Sequence, residues 1–207
     1  MTKKILVFSA GWIHPSLACR FNLKKLLNQA KDYDFTYTSS LTPLIRLSGY
    51  DAVVLYFHRK EISDSKLAAL EEYLNNGGRI LALHAASASF KQSEGYFNLI
   101  GGRFNHHGPI TGFEVNNEEE QDGIFAGIPG FEVTDELYIH DVADDITVHF
   151  STKVEERNEP VVWTRKSGQG KVAYCSLGHR AAVLKHPQYK EIILRCFKWF
   201  FKKGEHE

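Results

Sequence analysis

The feature that most constrains this chain is a set of short, almost wholly apolar segments separated by amphipathic ones. Residues 4–10, 50–57 and 79–83 are KILVFSA, YDAVVLYF and RILAL. Strands buried on both faces of a parallel sheet are apolar in this way, without the alternation of a half-exposed strand. Segments that begin at Ser16 and Ser63 lie between them and predict helices. This alternation predicts a doubly wound, flavodoxin-like α/β fold, with helices on both faces of a mostly parallel sheet.

The two predicted helices of the first half have clear ends. The first begins after Ser16 and runs to about Lys31, and a short strand follows over residues 35–39. The second ends at Asn75-Asn76-Gly77-Gly78, where a glycine can take the left-handed conformation that closes a helix. The buried face of the first helix is assigned to Phe21, Leu26, Leu27 and Ala30.

The second half of the chain is less regular. A short helix over residues 93–100 is closed by Gly101-Gly102, and a loop containing His106-His107 follows. Further strands are predicted over residues 110–116, 131–138, 146–154, 161–165 and 171–176, the last two forming a hairpin. The last helix, from about 187 to 203, has apolar residues at helical spacing: Tyr189, Ile192, Ile193, Cys196, Phe197 and Phe200. No linker or repeat interrupts the pattern, so we expect one domain over residues 1–207.

Composition limits the classes of function. The 207 residues include 25 Lys and Arg and 25 Asp and Glu, so no cationic face for nucleic acid is expected. No run of about 18 apolar residues occurs, so neither a membrane span nor a membrane partner is expected. Cys19, Cys175 and Cys196 are widely spaced and indicate buried thiols in a reducing, cytoplasmic location. Aromatic residues at Tyr96-Phe97, or on the last helix, form either a homodimer contact or part of the core.

Polar residues follow several predicted strands directly. Gly11-Trp12-Ile13-His14 follows the first strand, His58 the third, His84 the fourth, and Gly178-His179 the hairpin. Ligands of an open α/β sheet bind beyond the carboxyl ends of its strands. We therefore expect these four histidines to converge on one cleft.

His84 has the most distinctive setting, because a strand runs there into small residues at Leu83-His84-Ala85-Ala86-Ser87. Such a sharp turn presents its apex residue in hydrolases and amidotransferases, where that residue is Ser or Cys. A histidine there suits a general acid or base, a covalent catalyst or a metal ligand, or else it only satisfies a tight turn. His179 is either a site residue, brought close by Gly178, or an ordinary loop histidine.

The other candidates are less distinctive. His106 and His107 are neighbours that point in different directions, so only one is expected to face the cleft. Asp135-Glu136-Leu137-Tyr138 places two carboxylates beside a tyrosine and can equally be a solvated strand end. In Trp163-Thr164-Arg165, the tryptophan ring can stack on a sugar and the arginine can bind the sugar's oxygens, or the segment simply packs within the hairpin. The first strand is not followed by Gly-x-Gly-x-x-Gly and no P-loop motif occurs, so dinucleotides and P-loop chemistry are not expected.

Five short segments occur in an order and spacing that match one known family. They are Gly77–Ala86, Leu99–Phe104 with a histidine soon after, Asp135–Tyr138, Pro160–Arg165 and Ser176–His179. With these motifs nearly the whole chain resembles the ThuA-like (trehalose-utilisation) family. The resemblance implies a class I glutamine amidotransferase-like form of the flavodoxin-like fold. It also implies a role in carbohydrate metabolism, on a disaccharide or its keto derivative.

The resemblance also implies site residues. It places His84 at the apex of the sharp strand-to-helix turn, called the elbow. It places Glu136 and Tyr138 in the family's Asp-Glu-Leu-Tyr motif and His179 in its Leu-Gly-His motif. The family has His-Pro after its Gly-Gly-x-Phe stretch, whereas this chain has residues 104–109, FNHHGP, so the equivalent histidine is left open. The elbow lacks the amidotransferase cysteine, and glutamine hydrolysis by that route is therefore not expected.

The first hypothesis for function is an enzyme that performs acid–base chemistry on a sugar or keto-sugar. Its catalytic residues are His84, His179 and Glu136: the two imidazoles exchange protons and the carboxylate orients or assists one of them. The residues expected to bind substrate are Trp12, His14, His106, His107, Asp135, Tyr138 and Arg165. Proton exchange beside a ketone supports isomerisation or elimination and requires no cofactor.

Two alternatives remain open at the level of the sequence. In one, the chain is a non-catalytic sugar-binding or regulatory module on an amidotransferase-like scaffold, and Trp12 and Trp163 matter more than the histidines. In the other, a divalent metal such as zinc is bound with one position left open. The ligands would be His14, His84 and His179, with Glu136.

Overall fold

The computed structural model describes residues 2–11, 15–119 and 123–202. Its first four strands are β1 (Lys3–Ala10), β2 (Tyr33–Thr38), β3 (Ala52–Phe57) and β4 (Arg79–Leu83). The strands of the middle region are β5 (Gly102–His107), β6 (Thr111–Asn117), β7 (Phe131–Asp135) and β8 (Tyr138–Val142). The last three are β9 (Thr147–Val154), β10 (Arg157–Ser167) and β11 (Gly170–Cys175).

The helices begin and end where their capping residues stand. They are α1 (Leu17–Leu27), α2 (Asp64–Asn75), α3 (Glu94–Ile100) and α4 (Pro187–Phe201). The Ser16 hydroxyl accepts a hydrogen bond from the backbone N–H of Cys19, as expected of an N-cap, and Ser93 does the same for α3. Gly101 ends α3 at a φ of +78°, a conformation that glycine adopts without strain.

The main sheet has the strand order β2-β1-β3-β4-β11-β10-β9-β6-β7. Its first five strands are parallel, since β1 pairs with β2 and β3, and β4 pairs with β3 and β11, in the same direction. Antiparallel pairing of β10, β9, β6 and β7 extends the sheet on one side. The predicted flavodoxin-like arrangement is therefore confirmed for the parallel half, where the carboxyl ends of β1, β3, β4 and β11 lie along one edge.

Apolar side chains cover both faces of the parallel strands. Alternate residues of β1 enter different clusters, with Ile5 and Val7 on one face and Leu6 and Phe8 on the other. The first cluster includes the buried sides of α1 and α4, and the second those of α2 and α3. The six residues assigned to the buried face of the last helix are all fully buried. Each such large side chain contributes roughly 1.5–3 kcal/mol through burial.

The structure differs from the sequence predictions in three places. The strand predicted over 131–138 is broken at Glu136-Leu137, because β7 pairs with β6 whereas β8 pairs with β5. Residues 102–107, predicted as a loop, form β5, whose strand character depends on its partner β8. The first helix ends at Leu27, and Phe21, assigned to its buried face, is 68% exposed.

The remaining expectations concern the cysteines and the surface. Cys19, Cys175 and Cys196 are buried free thiols, as predicted. Tyr96, offered as part of a dimer surface, belongs to the core, and so does the apolar face of the last helix. Within the described part of the chain, the helices are all too short or too polar to cross a bilayer.

Candidate functional site

The site begins where β4 and β11 end side by side. Leu83 pairs with Cys175 at the ends of these parallel strands, so that His84 and Ser176 are the next residues on each. His84 is fully buried and has a φ of +44°, a conformation that costs a residue with a Cβ on the order of 1 kcal/mol. Backbone strain of this kind is typical of functional sites, where a side chain has to be held in one orientation. The turn predicted at His84 is therefore present, as a short 3-10 segment over His84–Ala86.

One hydrogen bond determines which nitrogen of His84 reaches the site. Its Nδ1 lies 2.8 Å from the carbonyl oxygen of Ser176. Because a carbonyl oxygen only accepts hydrogen bonds, Nδ1 carries the proton and donates it. In the neutral imidazole, Nε2 is then the nitrogen with the lone pair. That atom lies 3.7 Å from Oε2 of Glu136.

Glu136 stands at the break between β7 and β8 and joins three histidines. Its Oε2 lies 3.1 Å from Nδ1 of His179 as well as near His84, and its Oε1 lies 3.9 Å from Nε2 of His107. The carboxylate side chain is 8% exposed. One ligand atom from each of His84, Glu136 and His179 lies within 4.8 Å of the other two. The turn that interrupts the predicted strand is thus what brings the carboxylate into the site.

The loop that carries His179 is held by the neighbouring carboxylate, Asp135. The backbone N–H groups of Gly178, His179 and Arg180 donate to its two oxygens at 2.7, 3.2 and 2.9 Å. Burial raises the pKa of Asp135 to about 6, against the opposing effect of these hydrogen bonds. The thiol of Cys19 donates to the carbonyl oxygen of His179 at 3.1 Å. Asp135 is wholly buried, and both oxygens of its carboxylate hold the loop through these hydrogen bonds, while the substrate contact expected of it stays a prediction.

Aromatic rings form one wall of the site. The ring of Tyr138 lies 4.3 Å from that of His84 and 4.3 Å from that of Phe104, measured between centroids. His107 is nearly parallel to Tyr138, at 5.9 Å. Burial raises the pKa of the Tyr138 hydroxyl, which therefore remains a neutral donor at physiological pH. A ring beside polar groups is a surface on which the apolar face of a sugar can stack.

A buried polar network supports His84 from beneath, and the sequence reading did not identify it. The Tyr174 hydroxyl donates to the carbonyl oxygen of His84 at 2.9 Å and lies 2.7 Å from the Ser87 hydroxyl. Nε2 of His140 lies 3.1 Å from the same Tyr174 oxygen, and Nδ1 of His140 lies 3.1 Å from Oε1 of Glu159. Tyr174 within the apolar strand KVAYC is the one sequence signal that indicated a buried polar group there.

The other described residues predicted to bind substrate lie at different distances from Glu136. His107 reaches Glu136, whereas His106 is exposed and its Nδ1 contacts Asn105, which answers the question left open between the two. Arg165 donates to the Asp145 carboxylate and to the carbonyl oxygen of Asn98, and neither residue belongs to the group around Glu136. Trp12 and His14 lie outside the described residues.

Two further aromatic and histidine candidates can be placed. Trp163 is fully buried, donates to the carbonyl oxygen of Ile100 and stacks on Tyr174, so the idea that it stacks on a sugar is wrong. His58 follows β3 as predicted and is exposed. The predicted convergence is thus seen for His84 and His179, joined by Glu136, Tyr138 and His107.

Residues 4–200 match the family described as ThuA, trehalose utilisation. The chain belongs to the ThuA family. The match spans His84, Glu136 and His179, so the whole site lies within the family region. No curated protein matches the sequence significantly.

Solved structures share the ThuA fold at low sequence identity. A ThuA-like protein from Bacteroides uniformis is 18% identical, with a TM-score of 0.82, over 99% of this chain and 93% of that one. A ThuA-like protein from Parabacteroides merdae is 17% identical, with a TM-score of 0.85, over 100% and 93% of the two chains. A cytoplasmic protein from Salmonella typhimurium is 14% identical, with a TM-score of 0.73, over 95% and 99%. At these identities the likeness concerns the fold alone.

Proposed function

We propose that this ThuA-family protein is a cytoplasmic enzyme that moves protons on a sugar, with a disaccharide or keto-sugar as substrate. The observation that carries the proposal is that Glu136 Oε2 lies 3.1 Å from His179 Nδ1 and 3.7 Å from His84 Nε2. Two imidazoles that share a carboxylate form a proton-transfer unit, because each can gain or lose a proton near neutral pH. The family's link to trehalose utilisation supports a carbohydrate substrate.

The geometry supports distinct roles for the three groups. His84, fixed with its proton on Nδ1, presents Nε2 as the base that takes a proton from a carbon beside a ketone. His179 then gives a proton to the oxygen of the resulting enediolate. The hydroxyl on the neighbouring carbon returns a proton to His179 as His84 delivers its proton to the former carbonyl carbon, which completes an isomerisation without net oxidation. Glu136 stabilises whichever imidazolium is formed, because its carboxylate lies beside both rings.

Substrate contacts are assigned to the wall of the cleft. Tyr138 offers an aromatic face and a neutral hydroxyl, and His107 lies beside it with a side chain that is 39% exposed. A single small-molecule sugar is the partner that this wall fits. The alternative, a sugar-binding module without turnover, relied on Trp12 and Trp163 to contact the sugar. It is weakened because Trp163 is buried in the core.

Hydrogen exchange with solvent tests the proposal directly. Keto-sugars and their parent disaccharides are incubated with the protein in deuterated water, and loss of carbon-bound proton signals is followed by NMR. The wild type should exchange one position beside the ketone, whereas His84→Asn and Glu136→Gln should each slow exchange by about 100-fold or more. His106→Asn is the matched control, because His106 is exposed and contacts Asn105.

Two results would contradict the proposal. Equal exchange rates in wild type and His84→Asn would remove His84 from the chemistry. Sugar binding without any exchange in the wild type would instead favour the non-catalytic module.

A further inference from the structure

We propose that His84, Glu136 and His179 form a three-ligand site for one divalent transition-metal ion, zinc in the first instance. This inference deepens the proposed function. The ion's role in catalysis rests on that function, but metal binding itself can be measured without a sugar.

The spacing of the ligand atoms suits a tetrahedral ion. Ligands about 2.0–2.1 Å from zinc in a tetrahedral arrangement lie about 3.3–3.4 Å from one another. Glu136 Oε2 lies 3.1 Å from His179 Nδ1 and 3.7 Å from His84 Nε2. One ligand atom of each of the three residues lies within 4.8 Å of the others, so side-chain adjustments of up to about 1.5 Å bring them to tetrahedral spacing.

The ligand types form a set that zinc accepts. Two imidazole nitrogens and one carboxylate oxygen leave a fourth position for water or substrate, as in catalytic rather than structural zinc sites. The Glu136 carboxylate is nearly buried between the two rings, and a buried carboxylate requires a positive partner. A divalent ion supplies that charge while both imidazoles remain neutral.

The surroundings hold His84 in the form that binds a metal and fix the backbone that carries His179. The Ser176 carbonyl fixes the proton of His84 on Nδ1, so Nε2 keeps its lone pair for coordination, as outer-shell carbonyls do in metal sites. The backbone of His179 is fixed by Asp135 on one side and by the Cys19 thiol on the other. The His84 ring and the His179 backbone are therefore in place before any ion binds.

The other buried histidine–carboxylate pairs lack this arrangement. His140 lies 3.1 Å from Glu159, but its second nitrogen lies 3.1 Å from the Tyr174 hydroxyl. His149 contacts Glu119 through one nitrogen and the Thr164 hydroxyl through the other. Among the described residues, His84, Glu136 and His179 are the group of three that brings ligand atoms together.

An ion at this site would change how the proposed proton transfers occur. Zinc lowers the pKa of a bound water to about 7, and it polarises a carbonyl or hydroxyl oxygen that takes its fourth position. The substrate ketone, held against Tyr138, would then bind the ion through its oxygen. The proton on the neighbouring carbon would become more acidic. Because the ion would hold the lone pair of His84 Nε2, that proton would pass to Oε1 of Glu136, the oxygen that faces His107.

Metal binding is tested first, without sugar. The protein is produced without a histidine tag, stripped with a chelator and titrated with Zn²⁺ by calorimetry and with Co²⁺ by visible absorption. One ion per chain is expected, with cobalt bands of tetrahedral intensity. His84→Asn, Glu136→Gln and His179→Asn should each lower affinity by more than the roughly 10- to 100-fold that loss of an outer-shell partner costs. His106→Asn should bind as the wild type does.

The outcomes separate this inference from the proposed function. Wild-type affinity in both Glu136→Gln and His179→Asn overturns the metal site, and these two variants suffice if His84→Asn fails to fold. Metal binding without sugar turnover supports the site and contradicts the proposed function. Solvent exchange by stripped protein that binds no zinc overturns the metal site and supports direct histidine catalysis.

Discussion

The carbonyl oxygen of Ser176 lies 2.8 Å from Nδ1 of His84, and this contact connects the ends of two parallel strands. It fixes the tautomer of a fully buried imidazole and so decides which nitrogen is available to Glu136. Both chemical roles proposed for His84, as a base and as a ligand, need Nε2 to be the unprotonated nitrogen. The tautomer is therefore the first property to measure.

The ring nitrogens of His84 should show the Nδ1–H form at neutral pH. Their ¹⁵N chemical shifts and two-bond couplings distinguish the two neutral tautomers, and His84→Gln identifies the signals. His106 is exposed, and its Nδ1 lies 3.3 Å from the side-chain oxygen of the neighbouring Asn105, a longer contact at the surface, so it should show the mixed tautomers of a solvated ring. Observation of the Nε2–H form in His84 would contradict both roles.

Asp135→Ala should loosen the loop that carries His179. Its carboxylate is the acceptor for the N–H groups of residues 178–180, so their amide exchange with solvent should rise by about 10-fold or more. Zinc affinity should fall by roughly 10- to 100-fold, the usual effect of losing an outer-shell partner. Amide exchange measured by NMR checks the first effect.

Asp141→Ala is the matched control for Asp135→Ala. Asp141 is exposed and accepts from the Asn105 amide, so neither loop exchange nor zinc affinity should change. Unaltered protection of residues 178–180 in Asp135→Ala would show that the loop is held by other contacts.

Much of the parallel half could be predicted because its sequence signals are local. The apolar run of β4, the serine caps and the spacing of α4 each depend on residues close in the chain. The end of each strand then located His84 and His179, since the rule that ligands bind at carboxyl ends is a property of the fold. Their meeting with Glu136 agrees with the family resemblance.

The break at Glu136-Leu137 could not be predicted in the same way. Residues 131–142 are a nearly continuous strand pattern, and only the choice of partners, β6 for one half and β5 for the other, divides it. The burial of Trp163 could not be predicted either, because its indole packs on Gly102 and donates to the carbonyl oxygen of Ile100, two residues far from it in sequence. Pairing and packing of this kind are tertiary effects that local patterns do not contain.

Gly178→Ala should destabilise the protein and displace His179. Gly178 has a φ of +126°, where a Cβ causes strain of about 1–3 kcal/mol, and its carbonyl oxygen accepts from the Tyr56 hydroxyl at 2.6 Å. The free energy of unfolding in denaturant measures this cost. Gly49→Ala is the control, since no atom lies within 4 Å of its added Cβ. Equal stabilities of the two variants would contradict the strain.

His140 should make stability depend on pH. Burial lowers its pKa, with Glu159 opposing the shift, so the folded ring remains neutral where the unfolded ring, with a pKa of about 6.5, gains a proton. Its contribution is therefore present above about pH 6.5 and is lost as pH falls below that value.

The comparison variant for this effect is His140→Gln. The difference in unfolding free energy between wild type and His140→Gln should shrink by up to about 1.4 kcal/mol between pH 7.5 and 5.5. Other titrating groups are the same in both proteins and cancel in the difference. A difference that is constant or grows toward pH 5.5 would mean that the ring is charged in the folded state.

Tyr138 should contribute to the site through its ring and its hydroxyl in separable ways. Tyr138→Phe keeps the ring contacts with His84 and Phe104, both at 4.3 Å, and removes only a neutral hydroxyl, so folding and zinc affinity should not change. If the hydroxyl binds a sugar oxygen, KM for the substrate should rise by roughly 5- to 10-fold, the effect of one neutral hydrogen bond, with little change in kcat.

Tyr138→Ala removes the ring as well and should lower kcat too, because the buried His84 imidazole loses the surface against which it packs. Equal kinetics in Tyr138→Phe and wild type would confine Tyr138 to packing, and the sugar oxygen would then have to be bound by another residue, with His107 the nearest candidate on that wall.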